Sequence, residues 1–268
     1  MTKRLCRQIG FGKPLLFWGF SLAFGLSRRT SMCSALSSHI LSLLYNQYYF
    51  IFAILPILLF FCGSVMEDDP IIFVLRYGSY KHYFTSKWRS LGVLCSGLWL
   101  GQITILFVTG AGLSVIKQGW DNFSGSSLLK EIAPLLVKSF PGAWVAVFCA
   151  AVYMLMGYWL IALLTLWLGH FLQRQKAIKV LLALYILTIL SIKLPIMSRP
   201  PFCYLTGINH WVLLLHNLTA GWRFPLTVIV TLLFVVTVIC SIQGGWRSAA
   251  HHHRISKGLP AYYRHILC

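Results

Sequence analysis

Acidic residues are almost missing from this chain. Only 5 Asp and Glu stand against 23 Lys and Arg in 268 residues, a formal net charge of +18. Charged residues of both signs make up 10%, where soluble domains carry roughly 25%. So few charges cannot clothe an ordinary soluble enzyme. The 8 cysteines include no CxxC pair, and nothing in their spacing resembles a zinc or iron–sulfur site. There is no GxxxxGK[ST] run, so the chain does not hold ATP in the P-loop manner, and neither HExxH nor GxSxG occurs. The 21 Gly and 10 Pro follow no period, which excludes collagen-like repeats. The two halves do not resemble each other, so inverted-repeat secondary transport has no direct support.

Apolar and aromatic side chains are abundant. Hydrophobic residues make up 58%, with 18 Phe, 12 Tyr and 10 Trp, far more apolar surface than a disordered chain leaves in water. They fall in long uncharged runs separated by short basic clusters. That is the pattern of a polytopic membrane protein oriented by Lys and Arg, with membrane lipids as its surroundings and no nucleic-acid partner. The expected fold is all-α, a single transmembrane domain over residues 1–268.

Six spans are expected, at about 12–30, 47–66, 91–116, 143–169, 177–194 and 224–243. The first is the weakest: Pro14 to Ser27 is short of the roughly 20 residues a span needs, and it can instead lie along the interface. In the second, Pro56 is expected to kink the helix. The polar stretch 31–46 before it reads either as a helix at the outer surface or as an extension of that span. With both termini on the cytoplasmic side, most of the 23 Lys and Arg fall inside, as orientation by positive charge requires.

No Asp or Glu lies in any expected span. His39, His170, His210 and His216 lie near span ends or in loops, where interfacial hydrogen bonding is the plain expectation. With no carboxylate nearby, a proton relay through them has little support. Most of Tyr48, Tyr49, Trp88, Trp99, Trp120, Trp144, Trp159, Trp167, Trp211, Trp222 and Trp246 are expected to anchor span ends at the interface. Asp68 and Asp69 before Pro70 read as a helix start rather than a metal site. His251, His252 and His253 beside Arg254 read as a basic patch facing anionic headgroups. No catalytic or metal-binding residue is assigned. A bridge between Cys33 and Cys203, both expected outside, is left open.

The segment 67–90 holds the most content. It contains three of the 5 acids together with Arg76, Lys81, Lys87 and Arg89. It reads as two short surface helices with an elbow at Gly78–Ser79, the second capped by Ser79 and ending at Trp88. Tyr80, Phe84, Lys87 and Trp88 share a face by i,i+3 and i,i+4 spacing. A membrane-hugging connection that only sets topology would also look like this.

LRYGSYKHYFTSKW, through Arg76, Tyr77, Gly78, Ser79, Lys81, Phe84, Lys87 and Trp88, resembles the linker between the second and third spans of ABC-2-type permeases, especially the small bacterial ones of bacteriocin, lantibiotic and peptide export or immunity. Tyr80 stands where that pattern has a basic residue after Ser. The resemblance implies six spans with a cytoplasmic coupling helix between the second and third, a second permease chain of the same or a related kind, and separate ABC ATPase subunits. Arg76, Tyr77, Ser79, Lys81, Phe84, Lys87 and Trp88 would dock those ATPases. ATP and Mg2+ would be held by the ATPases, with no cofactor on this chain, which is not itself an enzyme. The implied location is the bacterial plasma membrane and the implied cargo a hydrophobic peptide or other amphipathic compound. A non-transporting immunity or accessory protein, a secondary transporter and an integral membrane enzyme remain the alternatives.

Overall fold

A computed structural model describes residues 2–29, 35–66, 80–114, 134–172, 174–193 and 208–214. Among them the chain is helical, with no strand and a single isolated bridge between Ala35 and Ser114. The named helices are α1 (Thr2–Ile9), α2 (Gly12–Arg29), α3 (Leu36–Leu44), α4 (Gln47–Gly63), α5 (Tyr80–Thr109), α6 (Ala143–Phe171), α7 (Arg174–Lys193) and α8 (Ile208–Val212), and a short helical stretch over 134–139 precedes α6. The span expected at 224–243, the possible bridge partners Cys33 and Cys203, and His216, Asp68, Asp69 and His251–His253 lie outside the described residues.

Two helical stretches are long and apolar enough to cross a membrane, His82–Thr109 and Ala143–Gly169. The bent pair α3 and α4 makes a third if it is one broken span. The chain is therefore a helical membrane protein, with two or three such helices among the described residues. α2 and α7 are helical where spans were expected, but each carries basic residues toward both ends.

α6 is the hub. Of its apolar window 67% is buried, against 33% for α5, and α3, α4, α5, α7 and α8 all pack on it. A helix apolar on all sides suits that place. Contacts along each pair fix the relative directions of the helices. α5 runs antiparallel to α6, since Trp99 on α5 donates its indole N–H to the Ala151 carbonyl (2.9 Å) and Phe107 stacks on Trp144. α2 runs parallel to α5, with Trp18 donating to the Leu98 carbonyl (3.1 Å) and Gly25 facing Thr109. α4 runs antiparallel to α5, with Tyr49 near Gln102 and Cys62 against Cys95.

Between apolar helices in lipid no hydrophobic force favours contact, so close packing and hydrogen bonds must hold the bundle. Glycine permits the closest approaches. Gly101 leaves room for the Trp18 indole, and Gly92 for the Trp159 ring. At Gly157 a Cβ would lie 2.6 Å from the Trp211 carbonyl oxygen and 2.7 Å from Val212 Cα. That gap admits α8, and Ile208, Val212, Leu213 and Leu214 are buried. The Ile208 N–H donates to Thr188 Oγ1 of α7 (3.2 Å). α8 is thus inserted between α6 and α7.

Three boundaries differ from expectation. The sharp bend lies not at Pro56 but at Tyr45–Asn46, where α3 and α4 meet at 50°. Asn46 caps α4 there by accepting from the Tyr49 N–H (2.9 Å), the usual Asn role at a helix start. Pro56 is accommodated by a π-helical turn over Phe50–Ile54, which widens the helix where a proline ring would crowd the carbonyl four residues back. Of the 31–46 stretch, the described residues 35–46 hold α3, which leads into α4 across that 50° bend. Most of α3 is buried, against α6.

The third span begins and ends earlier than 91–116. α5 starts at Tyr80 and runs unbroken through Trp88 to Thr109, so no separate short helix stops before Leu91. It ends where Gly110 and Gly112 turn the chain. Gly112 has φ +87, a conformation glycine tolerates without penalty, and Arg29 satisfies the freed Ala111 carbonyl (2.7 Å).

The Gly157 contact is testable in the purified protein. Gly157→Val is expected to push α8 off α6 and lower stability by about 1–3 kcal/mol, read as the thermal unfolding midpoint in detergent. Gly97→Ala on α5, where nothing lies within 4 Å, is expected to leave the midpoint unchanged or raise it.

Candidate functional site

Two places on the bundle carry chemistry beyond apolar packing: the basic start of α5 and a polar layer in the interior. Both lie on one face of α5. Most of its buried residues, Phe84, Lys87, Leu91, Cys95, Leu98, Gln102, Leu106 and Thr109, recur every three or four positions, the period of a single helix face. Val93, Leu100 and Val108 are exposed on the rest of the helix.

The start of α5 holds the end of the linker segment. Arg76, Tyr77 and Ser79 lie outside the described residues. Lys81 belongs to the first turn of α5. Phe84 and Lys87 are buried, and Lys87 Nζ sits 5.8 Å from the Tyr83 ring centroid, within the range of a cation–π contact. Trp88 is partly buried and meets Trp159 of α6 edge to face, centroids 5.7 Å apart. The expected shared face of Phe84, Lys87 and Trp88 therefore turns toward the protein, because it continues the inner stripe of α5. His82 and Arg89 are exposed at this end.

α1 packs against α5 as well. Leu5 and Ile9 are buried, while Cys6 and Arg7 face outward. Gly10, at φ +72, turns the chain into α2. Lys13 donates to the Ile9 carbonyl (2.7 Å) and lies 4.8 Å from the Phe60 ring centroid near the end of α4. The start of α2, the end of α4, the start of α5 and the end of α6 thus share one end of the bundle. Arg4, Arg7, Lys13, Lys87 and Arg89 gather there, with Arg174, Lys176 and Lys179 where α7 leaves α6. The opposite end carries Arg28, Arg29 and Lys138.

The interior layer ties four helices with uncharged groups. The Tyr158 hydroxyl of α6 donates to Gln102 Oε1 of α5 (2.7 Å). Gln102 Nε2 donates to the Tyr49 hydroxyl of α4 (3.3 Å). Tyr49 donates to Ser21 Oγ of α2 (2.7 Å), and Ser21 donates to the Phe17 carbonyl (2.9 Å). All four side chains are buried. Phe24 stacks on Tyr49 at 4.4 Å, and Phe17 meets Tyr158 edge to face at 6.1 Å. Next to the layer Cys62 and Cys95 pair thiol to thiol, both fully buried.

This layer corrects part of the sequence reading. Tyr49 is an interior hydrogen-bonding residue, not an interfacial anchor. Trp99 and Trp159 lie in the α5–α6 seam, with Trp159 donating to Ser96 Oγ (2.9 Å). His39 is fully buried and shares a hydrogen bond with Thr109 Oγ1 (3.2 Å), the last residue of α5. Gln102 was not singled out, although it is the one amide side chain between Leu91 and Ile116. That isolation is the signal that marks it, since an amide in hydrocarbon needs partners. Among the described residues no group of three or more His, Cys, Asp or Glu is placed to hold a metal ion.

Compared with protein-family models, curated proteins and solved structures, the chain matches none of them.

The interior layer predicts a coupled energetic pattern. Tyr158→Phe removes one hydroxyl and strands Gln102 Oε1, at an expected cost of about 1–2 kcal/mol. Once Gln102→Met has removed the stranded acceptor, adding Tyr158→Phe is expected to cost less than it does alone. Unfolding midpoints of both single variants and the double variant measure the coupling, and strict additivity would sink the shared network.

Proposed function

We propose that this chain is the permease subunit of an ATP-driven ABC exporter of the ABC-2 type. Six spans would cross the bacterial plasma membrane with both termini cytoplasmic, beside a second permease chain and separate ABC ATPase subunits that hold ATP and Mg2+. The cargo would be a hydrophobic peptide or other amphipathic compound. One observation carries this reading: the helix that begins inside the linker-like sequence at Tyr80 continues without a break to Thr109. At 1.5 Å per residue it is about 45 Å long, against a hydrocarbon core of about 30 Å. Its surplus is the basic first turns. A force applied there reaches the middle of the membrane along a rod with no proline or other break to absorb it.

The gathering of basic residues at the same end supports a cytoplasmic assignment for it, by the excess of Lys and Arg on that side of membrane proteins. Within the docking set, the buried positions suggest a division. Phe84, Lys87 and Trp88 anchor the rod to the bundle, while Arg76, Tyr77, Ser79 and Lys81, joined by exposed Arg89, meet the ATPase. In this scheme the basic residues serve attachment and carry out no chemistry.

The deciding experiment expresses the chain with its native neighbouring genes, purifies it in mild detergent and identifies what stays bound by mass spectrometry. A stoichiometric P-loop ATPase is expected, and recovery of the chain alone, or only with itself, would overturn the assignment. Arg89→Glu is expected to lower the retained ATPase by up to about fivefold, the scale of one exposed ion pair at about 0.2–1 kcal/mol, with the helical content unchanged. Lys87→Ala is expected to act on stability instead, through lost packing on Tyr83.

A further inference from the structure

We infer that the elbow between α1 and α2 seats one anionic phospholipid, with its phosphate on Arg7 and Lys13 and its acyl chains along the outer face of α2. The elbow is a tight turn: the Gly10 N–H donates to the Cys6 carbonyl (3.0 Å), and Gly10 itself has φ +72. Two unlike surfaces meet there. Leu5 and Ile9 of α1 are buried against the bundle, so the side chains α1 turns outward include Cys6 and Arg7. A helix whose apolar stripe is already covered by protein has little to place in hydrocarbon and stays at headgroup depth. α2 is the opposite. Phe11, at the elbow, is 87% exposed, and Leu15, Leu16 and Phe20 follow it outward. The open apolar face therefore begins where the basic groups stop, which is the order of chains and phosphate in a phospholipid.

Lys13 lies at the join. Its Nζ sits 4.8 Å from the Phe60 ring centroid and reaches back to the Ile9 carbonyl at the end of α1 (2.7 Å), the posture of a lysine that keeps its stem in an apolar surrounding and its charge at the surface. That carbonyl takes one of three ammonium donors and leaves two for phosphate oxygens. Arg7, in the last turn of α1, brings a fork of N–H donors that matches a phosphate. Charge selects the lipid. No Asp or Glu lies among the described residues, so none of them competes for these two cations. A phosphatidylglycerol headgroup adds a net negative charge, whereas phosphatidylcholine sets a cation of its own beside Arg7. The far end of α2 differs, because Arg29 donates to the Ala111 carbonyl and Arg28 lies over the Phe24 ring. Since α1 packs on α5, a lipid held at the elbow also steadies the foot of that helix.

The test uses the full-length chain alone in a neutral detergent, without any ATPase, so it stands or falls separately from the docking experiment. Phosphatidylglycerol or phosphatidylcholine is titrated in, and native mass spectrometry counts the lipid retained. The wild type is expected to hold phosphatidylglycerol more tightly than phosphatidylcholine. Arg7→Gln, at an exposed position where no packing is lost, is expected to weaken phosphatidylglycerol about fivefold, the usual effect of one basic residue beside an anionic surface. Arg28→Gln at the far end of α2 should bind like the wild type. Exposed Cys6, next to Arg7, reports the place: phosphatidylglycerol should slow its modification by N-ethylmaleimide, and inorganic phosphate at the same concentration should not. Equal affinity of the wild type for the two lipids, unchanged binding in Arg7→Gln, or an equal loss in Arg28→Gln would overturn the seat. Equal protection of Cys6 by inorganic phosphate would make the elbow a site for a free anion and overturn the assignment to a lipid.

Discussion

A polar group carried out of water into hydrocarbon keeps its hydrogen bonds only if neighbouring groups supply them. This constraint governs the whole bundle. It makes the chain helical, since a helix satisfies its own backbone. It explains why the freed carbonyl of Ala111 meets Arg29 and why the start of α4 is capped by Asn46. Above all it explains the layer through Ser21, Tyr49, Gln102 and Tyr158. Each of those side chains would be a liability on an isolated helix. Brought together they fix the register of four helices, which apolar packing alone leaves free to slide.

The same physics explains the uneven use of small and large residues. Trp18, Trp99 and Trp159 lie in helix seams, and each indole N–H finds a carbonyl or hydroxyl. Gly101 and Gly92 provide the space for two of those rings, and Gly157 the space for α8. Rings and glycines are therefore matched across helices, a correspondence that hydropathy alone does not reveal. α5 joins both themes. Its inner face carries the seam residues and Gln102, while its first turns carry the basic residues that extend past the apolar core.

The residues show how far sequence reasoning reached. The uncharged runs gave a helical membrane protein, and α6 begins at Ala143 as expected because Pro141–Gly142 precedes it. Gly78–Ser79 before them and the charged residues Lys87 and Arg89 at their end make residues 80–88 look like a separate short helix. They nevertheless continue the three-and-four-residue stripe of α5, and a helix that packs against neighbours does not stop where the hydrocarbon does. Pro56 was read as the kink, yet the strain there is spread over a π turn, and the bend falls at Tyr45–Asn46, where the sequence offers only a weak turn signal. Tyr49, Trp99 and Trp159 were read as anchors because amphipathic rings favour interfaces. Only a partner on another helix reveals that such a ring is buried.

By itself the sequence determined the solvent and the helical class of the chain, because both depend on composition and on residues near one another along the chain. Scarcity of charge selects the membrane, and length of apolar run selects the helix. The clusters of Lys and Arg lie at span ends whatever the packing. Tertiary structure alone decided which side of each helix turns inward, that Lys87 and Gln102 share one such face, and that Gln102 meets Tyr49 and Tyr158. Those contacts join residues about fifty positions apart. Nothing local to any of the three fixes the distance between them, and they become neighbours only when close packing sets the helices side by side.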